Sequence, residues 1–176
     1  MNRHFRWAFA LALLPIAACS SNPPPAPPVA VAPAPPALAA VDQTFANAAA
    51  SSDATEIQAA QLAQQKARSP RIKQFATRMI TDHTKTTQQL TTILQSKGVT
   101  PTATPGDLTA LQNAKVRQFD RDYMRGQVTA HIAAVKVFQD EIANGQDADL
   151  KAFAQATLPM IQQHLRMARQ ISGFHG

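Results

Sequence analysis

Nine of the 13 prolines fall between Pro15 and Pro36, and only four serve the remainder of the chain. Proline brings no backbone N–H to a helix or a sheet, so the proline-dense stretch is unsuited to a packed core of regular structure. The 176 residues are thereby divided before any other pattern is read, into a leading tail and one domain behind it that starts near residue 41. Within that domain β-branched residues are sparse, and aromatics make up only 6% of the chain, too few for an all-β sandwich. A helical domain is the expectation that remains.

The tail itself has two parts. Arg3, His4 and Arg6 precede an almost unbroken apolar stretch from Trp7 to Ala18, the layout of a secretory signal over residues 1–18. The only cysteine, Cys19, follows Ile16-Ala17-Ala18. This resembles the bacterial lipobox, and the resemblance implies cleavage before Cys19 and lipid attachment to it. Ser20, rather than aspartate, comes next, which implies export to the outer membrane. Residues 19–40 then form a Pro/Ala-rich tether, extended in the polyproline manner at roughly 3.1 Å per residue. The expected location is thus the periplasmic face of the outer membrane, with the membrane as a partner through the lipid at Cys19.

A single cysteine excludes an intrachain disulfide. Without Arg3 and Arg6 the net charge falls from +6 to about +4, with no basic run and no interleaved aromatics, so nucleic acid is not an expected partner. No protein partner can be named. Walker A, G-x-G-x-x-G and G-x-S-x-G patterns are all missing from the sequence. Past residue 20 no apolar run has the roughly 18 residues of a spanning helix.

From residue 41 to 172 the period is helical. A first helix is expected from Asp42 to Arg68, with a break allowed at Ser51-Ser52-Asp53. Ser69-Pro70 reads as N-cap and N1 of a second helix that ends near Gly98. Pro101 and Pro105 mark a loop, Asp107 caps a short helix to Ala114, and a long helix spans Val116 to Asn144. Gly145 stops it, Asp147 caps the last helix to Ser172, and residues 173–176 are a tail. Two hairpins with short turns, joined by about 20 residues, predict a ferritin-like antiparallel four-helix bundle with a long crossover carrying a short extra helix.

Each main helix places an ionisable residue on its apolar stripe: Glu56, His83, His131 and His164. Counted from the hairpin turns at 1.5 Å per residue, all four fall in one region of the core. They could form a closed hydrogen-bond network with no metal, or the N/O ligand set of one transition metal ion: zinc, copper or iron. Met79 and Met160, one turn before His83 and His164, hint at copper, although methionines at such spacing are more often core filler. Asp82 and Asp120 read as surface or capping residues, and Tyr123 is a candidate to orient a core histidine.

Three stretches together resemble the domain-of-unknown-function family 4142. They are Glu56-Ile57 with the run from Lys73 to His83, then Phe119 to Tyr123 followed by His131, and Leu150 to Leu165. The resemblance implies a ferritin-like bundle in a bacterial envelope protein and brings no established activity. The Glu-x-x-His pairs of di-iron enzymes are missing, since Ile80 and Ile161 stand three before His83 and His164. The functional expectation is a non-catalytic lipoprotein that binds a metal or an envelope partner. The alternative is a metal-dependent redox or ferroxidase-type enzyme built on the Glu/His cluster.

Overall fold

A computed structural model describes residues 37–173. The signal segment, Cys19 and most of the tether lie outside the described residues, as does the end of the tail. Among those described there are no strands, and the helices run α1 (Ala40–Lys66), α2 (Pro70–Ser96), α3 (Thr109–Gln112), α4 (Val116–Asn144) and α5 (Ala148–Ser172). None is long and apolar enough to cross a membrane.

The four long helices form a ferritin-like bundle. α1 and α2 make one hairpin, and α4 and α5 the other. The side chain of Asp42, at the start of α1, accepts from the backbone N–H of Gln146 and Asp147, just past the end of α4 (2.8 and 3.1 Å). α1 and α4 are therefore antiparallel. Lys97, just past α2, pairs with Asp147 and Asp149 at the start of α5 (2.9 and 2.7 Å), which makes α2 and α5 antiparallel as well. The chain between α2 and α4 must then travel the length of the bundle.

It does so along α1. The backbone N–H groups of Thr102, Thr104 and Gly106 donate to Asn47 Oδ1, Ser51 Oγ and Thr55 Oγ1 at 2.8, 2.9 and 2.8 Å. The match is geometric: two residues of extended chain advance about 6.6 Å, and four residues of helix advance about 6 Å. α1 is continuous here, so the break allowed at Ser51-Ser52-Asp53 does not occur. Ser51 returns its hydroxyl to Asn47 O (2.7 Å), a bond that lets serine sit inside a helix.

Capping differs from the sequence expectation at α3, whose N-cap is Leu108 while Asp107 accepts from the N–H of Thr109, and at α2. Asp147 caps α5 as expected, accepting from Asp149 and Leu150. Ser69 occupies the N-cap of α2 but its side chain makes no capping bond. Asp120 of α4 takes over, accepting from the N–H of Arg68 and Ser69 (both 3.0 Å).

The core is two apolar packs. One holds Ile72, Phe75, Met79, Phe119, Tyr123 and Ala168 at the α1–α2 turn end. The other holds Phe45, Leu90, Leu94, Phe138, Leu150 and Phe153 at the opposite end. Between them lies a polar layer.

Candidate metal centre

Along α2 the buried positions are Ile72, Phe75, Ala76, Met79, His83, Thr86, Leu90 and Leu94, a 3/4 spacing in which His83 stands where an apolar residue would normally be. His131 on α4 and His164 on α5 take the same kind of position. The three rings are 4%, 1% and 0% exposed, and their centroids form a near-equilateral triangle of 5.9, 5.4 and 5.5 Å. One ring nitrogen from each can be chosen so that all three lie within 4.8 Å of one another.

Each ring is held from behind. His83 Nδ1 meets Asp53 Oδ1 at 2.7 Å, His131 Nδ1 meets Gln127 O at 2.9 Å, and His164 Nε2 meets Asp82 Oδ2 at 2.8 Å. All three partners are acceptors, so the ring nitrogen facing each one carries the hydrogen. The opposite nitrogens, His83 Nε2, His131 Nε2 and His164 Nδ1, are then bare lone pairs, and all three are buried with no hydrogen-bond partner among the described residues. Buried polar atoms are almost always paired, so three orphans in one layer require an explanation. A proton is a poor one. Burial, with His83 nearby, holds the His131 imidazole down to about 3, and burial lowers His164 as well. The arrangement suits a metal: ligating histidines as a rule give their other N–H to a carboxylate or a carbonyl, and here all three do.

Glu56 lies beside this group. Its Oε2 accepts from Gln127 Nε2 at 2.6 Å, and its Oε1 is 4.0 Å from His131 Nδ1, the nitrogen already used. Burial raises its pKa. The carboxyl bonds the amide rather than any histidine, so the closed Glu–His network does not form. Tyr123 does not orient a histidine either. Its ring stacks on Phe119 (6.1 Å) and meets Phe75 edge-on (6.3 Å), and its hydroxyl has no partner among the described residues. Burial and the nearby Glu56 raise its pKa.

Two acids have roles that the sequence concealed. Asp53 is buried and also receives the hydroxyls of Thr86 and Thr87 (2.8 and 3.2 Å). Asp82, read as a surface residue, keeps 26% of its side chain exposed and pairs with Arg78, yet it reaches across to α5 to hold His164. Asp53 lies three residues before Glu56 on one face of α1, which was the available signal. Met79 packs in the apolar end with Phe75, and Met160 only borders the other pack.

No curated protein matches the chain. Among solved structures, one described as "CopM in the Cu(I)-bound form" matches at TM-score 0.67 and 24% identity, covering 77% of this chain and 98% of that one. "CopM in the Ag-bound form (by co-crystallization)" matches at 0.66 with the same identity and coverage. A DUF305 fragment from Deinococcus radiodurans matches at 0.70 and 14% identity, covering 78% and 99%. At these identities the likeness is one of fold. Residues 27–171 match the family described as Domain of unknown function (DUF4142), and the chain belongs to it.

Proposed function

We propose that the protein is a lipid-anchored envelope protein that holds one copper ion, as Cu(I), in the three-histidine centre, and that it stores or hands on the ion rather than catalysing a reaction. The observation that carries this reading is the set of three buried, unpartnered ring nitrogens, each on an imidazole fixed from its far side. Three neutral imidazoles and no thiolate suit copper, zinc, iron or nickel. A structural zinc ion asks for a fourth protein ligand, and the neighbouring carboxyl that holds no histidine, Glu56, is turned to Gln127. A singly charged ion that accepts three ligands fits better in a layer this dry. That a bundle of the same fold is known in Cu(I)- and Ag-bound forms supports the choice. Rings at 0–4% exposure leave no surface on which a substrate could meet the ion, which favours holding over turnover.

The anchor and the location rest on Cys19 and the residues before it. Cys19→Ser should block lipid labelling and release the domain from the membrane fraction; unchanged labelling would remove that part. The metal part is tested by elemental analysis of protein purified without chelator or histidine tag and then loaded anaerobically. One copper per chain is expected, and none in the His83→Leu/His131→Leu/His164→Leu variant. Equal copper in both proteins would put the ion elsewhere.

A further inference from the structure

The centre accounts for three of the seven buried polar atoms that lack a partner among the described residues. Two others are Gln127 Oε1 and the Tyr123 hydroxyl, on residues 97% and 99% buried (3% and 1% exposed). Both residues line a cavity of about 320 Å³ between α1, the crossover and α4, and Glu56 forms part of the same wall. The space exists because the helices are trimmed there to Ala59, Gly126 and Ala130; a Cβ placed on Gly126 meets nothing within 4 Å. The crossover closes it on one side through the Gly106–Thr55 bond.

Two acids stand among the lining residues, Asp107, which is exposed, and Asp122, which is partly so. No lysine or arginine lines the cavity, although Arg121 touches Asp122 from outside at 3.3 Å. No histidine lines the cavity, but its inner wall stands against His131 through Glu56 and Gln127. Glu56 Oε1 is 4.0 Å from His131 Nδ1, and the Gln127 carbonyl accepts from that same nitrogen.

The geometry points to this chamber as the passage by which a metal cation reaches the three histidines. The inference rests on the copper reading of the centre. Asp107 and Asp122 gather the cation, since a cleft lined by one sign of charge raises the local concentration of its counter-ion. Glu56, Gln127 Oε1 and the Tyr123 hydroxyl stand in for the waters it gives up, which lowers the cost of taking a charge into an apolar interior. The larger groove on the other side, about 760 Å³ between α2 and α5, is a weaker candidate. Its polar residues next to the centre are already engaged, Asp82 with His164 and Arg78, and Thr86 with Asp53, and Lys85 lines it.

The test uses the full chain loaded with Cu(I) and chased with an excess of bathocuproine disulfonate, whose copper complex is coloured. A passage serves both directions, so a plug slows release and uptake alike and leaves Kd unchanged. Gly126→Phe should slow release by about tenfold or more with Kd within about twofold, while Ala156→Phe, a plug in the α2–α5 groove, should release at the wild-type rate. Ala130→Leu, from the next turn, provides a second plug should Gly126→Phe fold poorly. Asp107→Asn with Asp122→Asn should slow uptake about threefold at low salt, an effect that disappears at high salt. Wild-type release from both chamber plugs with affinity intact would overturn the passage alone, and so would slowing by Ala156→Phe. A wild-type chain that retains no Cu(I) would overturn the centre and the passage together.

Discussion

The two ends of the bundle and its middle are built by opposite rules. At the ends, aromatic and aliphatic side chains fill most of the space, the buried Asp42 and Glu141 beside the α4–α5 turn excepted; Phe45, for instance, meets Phe138 edge-on at 5.1 Å and Phe153 at 6.3 Å. In the middle, histidines and carboxyls occupy the same inward positions, and several of their atoms have no partner. Burying apolar area stabilises the ends, whereas burying unpaired lone pairs costs the middle stability. The difference teaches where the fold gets its stability and where it gives some of it up. On the metal-centre reading, a layer that weakens the apo protein is kept for the ion it binds.

The contrast breaks most visibly at the ends. Phe138→Ala should remove about 3–5 kcal/mol, the usual loss for a buried phenylalanine, read as a shift in the urea midpoint. A loss under about 1 kcal/mol would mean that the end packs are not the source of stability. In the middle, the two rules can be separated within one layer. His83→Leu leaves Oδ1 of the buried Asp53 without its partner and should cost about 1–3 kcal/mol in the apo protein. His131→Leu strands only a carbonyl inside a helix and removes an orphan nitrogen, so the apo protein should change by less than about 1 kcal/mol in either direction. Equal, large losses from both would show a closed network instead.

The pH dependence sharpens the same comparison, because two buried groups titrate with opposite sign. Burial and the neighbouring Asp42 carboxyl push Glu141 up to about 7 from its ordinary 4.5. Between those values the folded chain holds a proton that the unfolded chain has lost, so this group's contribution falls as pH rises through 7. His131 does the reverse. Its unfolded imidazole takes a proton below about 6.5, while the folded one resists it down to about 3, so stability falls as pH drops through that window. Glu141→Gln should therefore raise the melting temperature by a few degrees at pH 8 and, between about pH 5 and 6.5, uncover the rise of stability with pH that His131 contributes. A slope that Glu141→Gln leaves intact would assign it to another group. The smallest effect is expected where the crossover lies on α1. Ser51→Ala removes the acceptor for Thr104 N–H and should cost about 0.5–1.5 kcal/mol, visible as faster amide exchange at Thr104 if the ladder holds the crossover.

Much of this architecture was legible because helices announce themselves by period and by punctuation. Gly145 and Asp147 mark the α4–α5 turn in the sequence, and the long helix from Val116 to Asn144 has those bounds in the structure. The three histidines were legible for the same reason, as polar interruptions of apolar stripes. What holds them was not. Asp53 fell in a Ser-Ser-Asp run that reads as a helix break, yet α1 runs through it unbroken, with Ser51 pairing to the crossover. Gln127 supplies a backbone carbonyl, which no side-chain pattern reveals. Asp82 sits on the rim of α2 and is called inward by a residue on another helix. On α4 the fully buried positions include the polar Gln127 and Glu141, while Val135 and Ile142 are only partly buried against the apolar pack.

The central claim is that the polar middle is a metal centre, and its most direct measurement is the melting temperature of the chelator-treated chain with and without added ion. A ligand that binds only the folded state at about 100 times its Kd adds about 2.7 kcal/mol, which for a domain of this size is on the order of 10 °C. Anaerobic Cu(I) should produce that rise in the wild-type chain and none in the His83→Leu/His131→Leu/His164→Leu variant. A melting temperature left unmoved by Cu(I), Ag(I) and Zn(II) alike, at tenfold excess over protein, would contradict the account and leave the three histidines as packing.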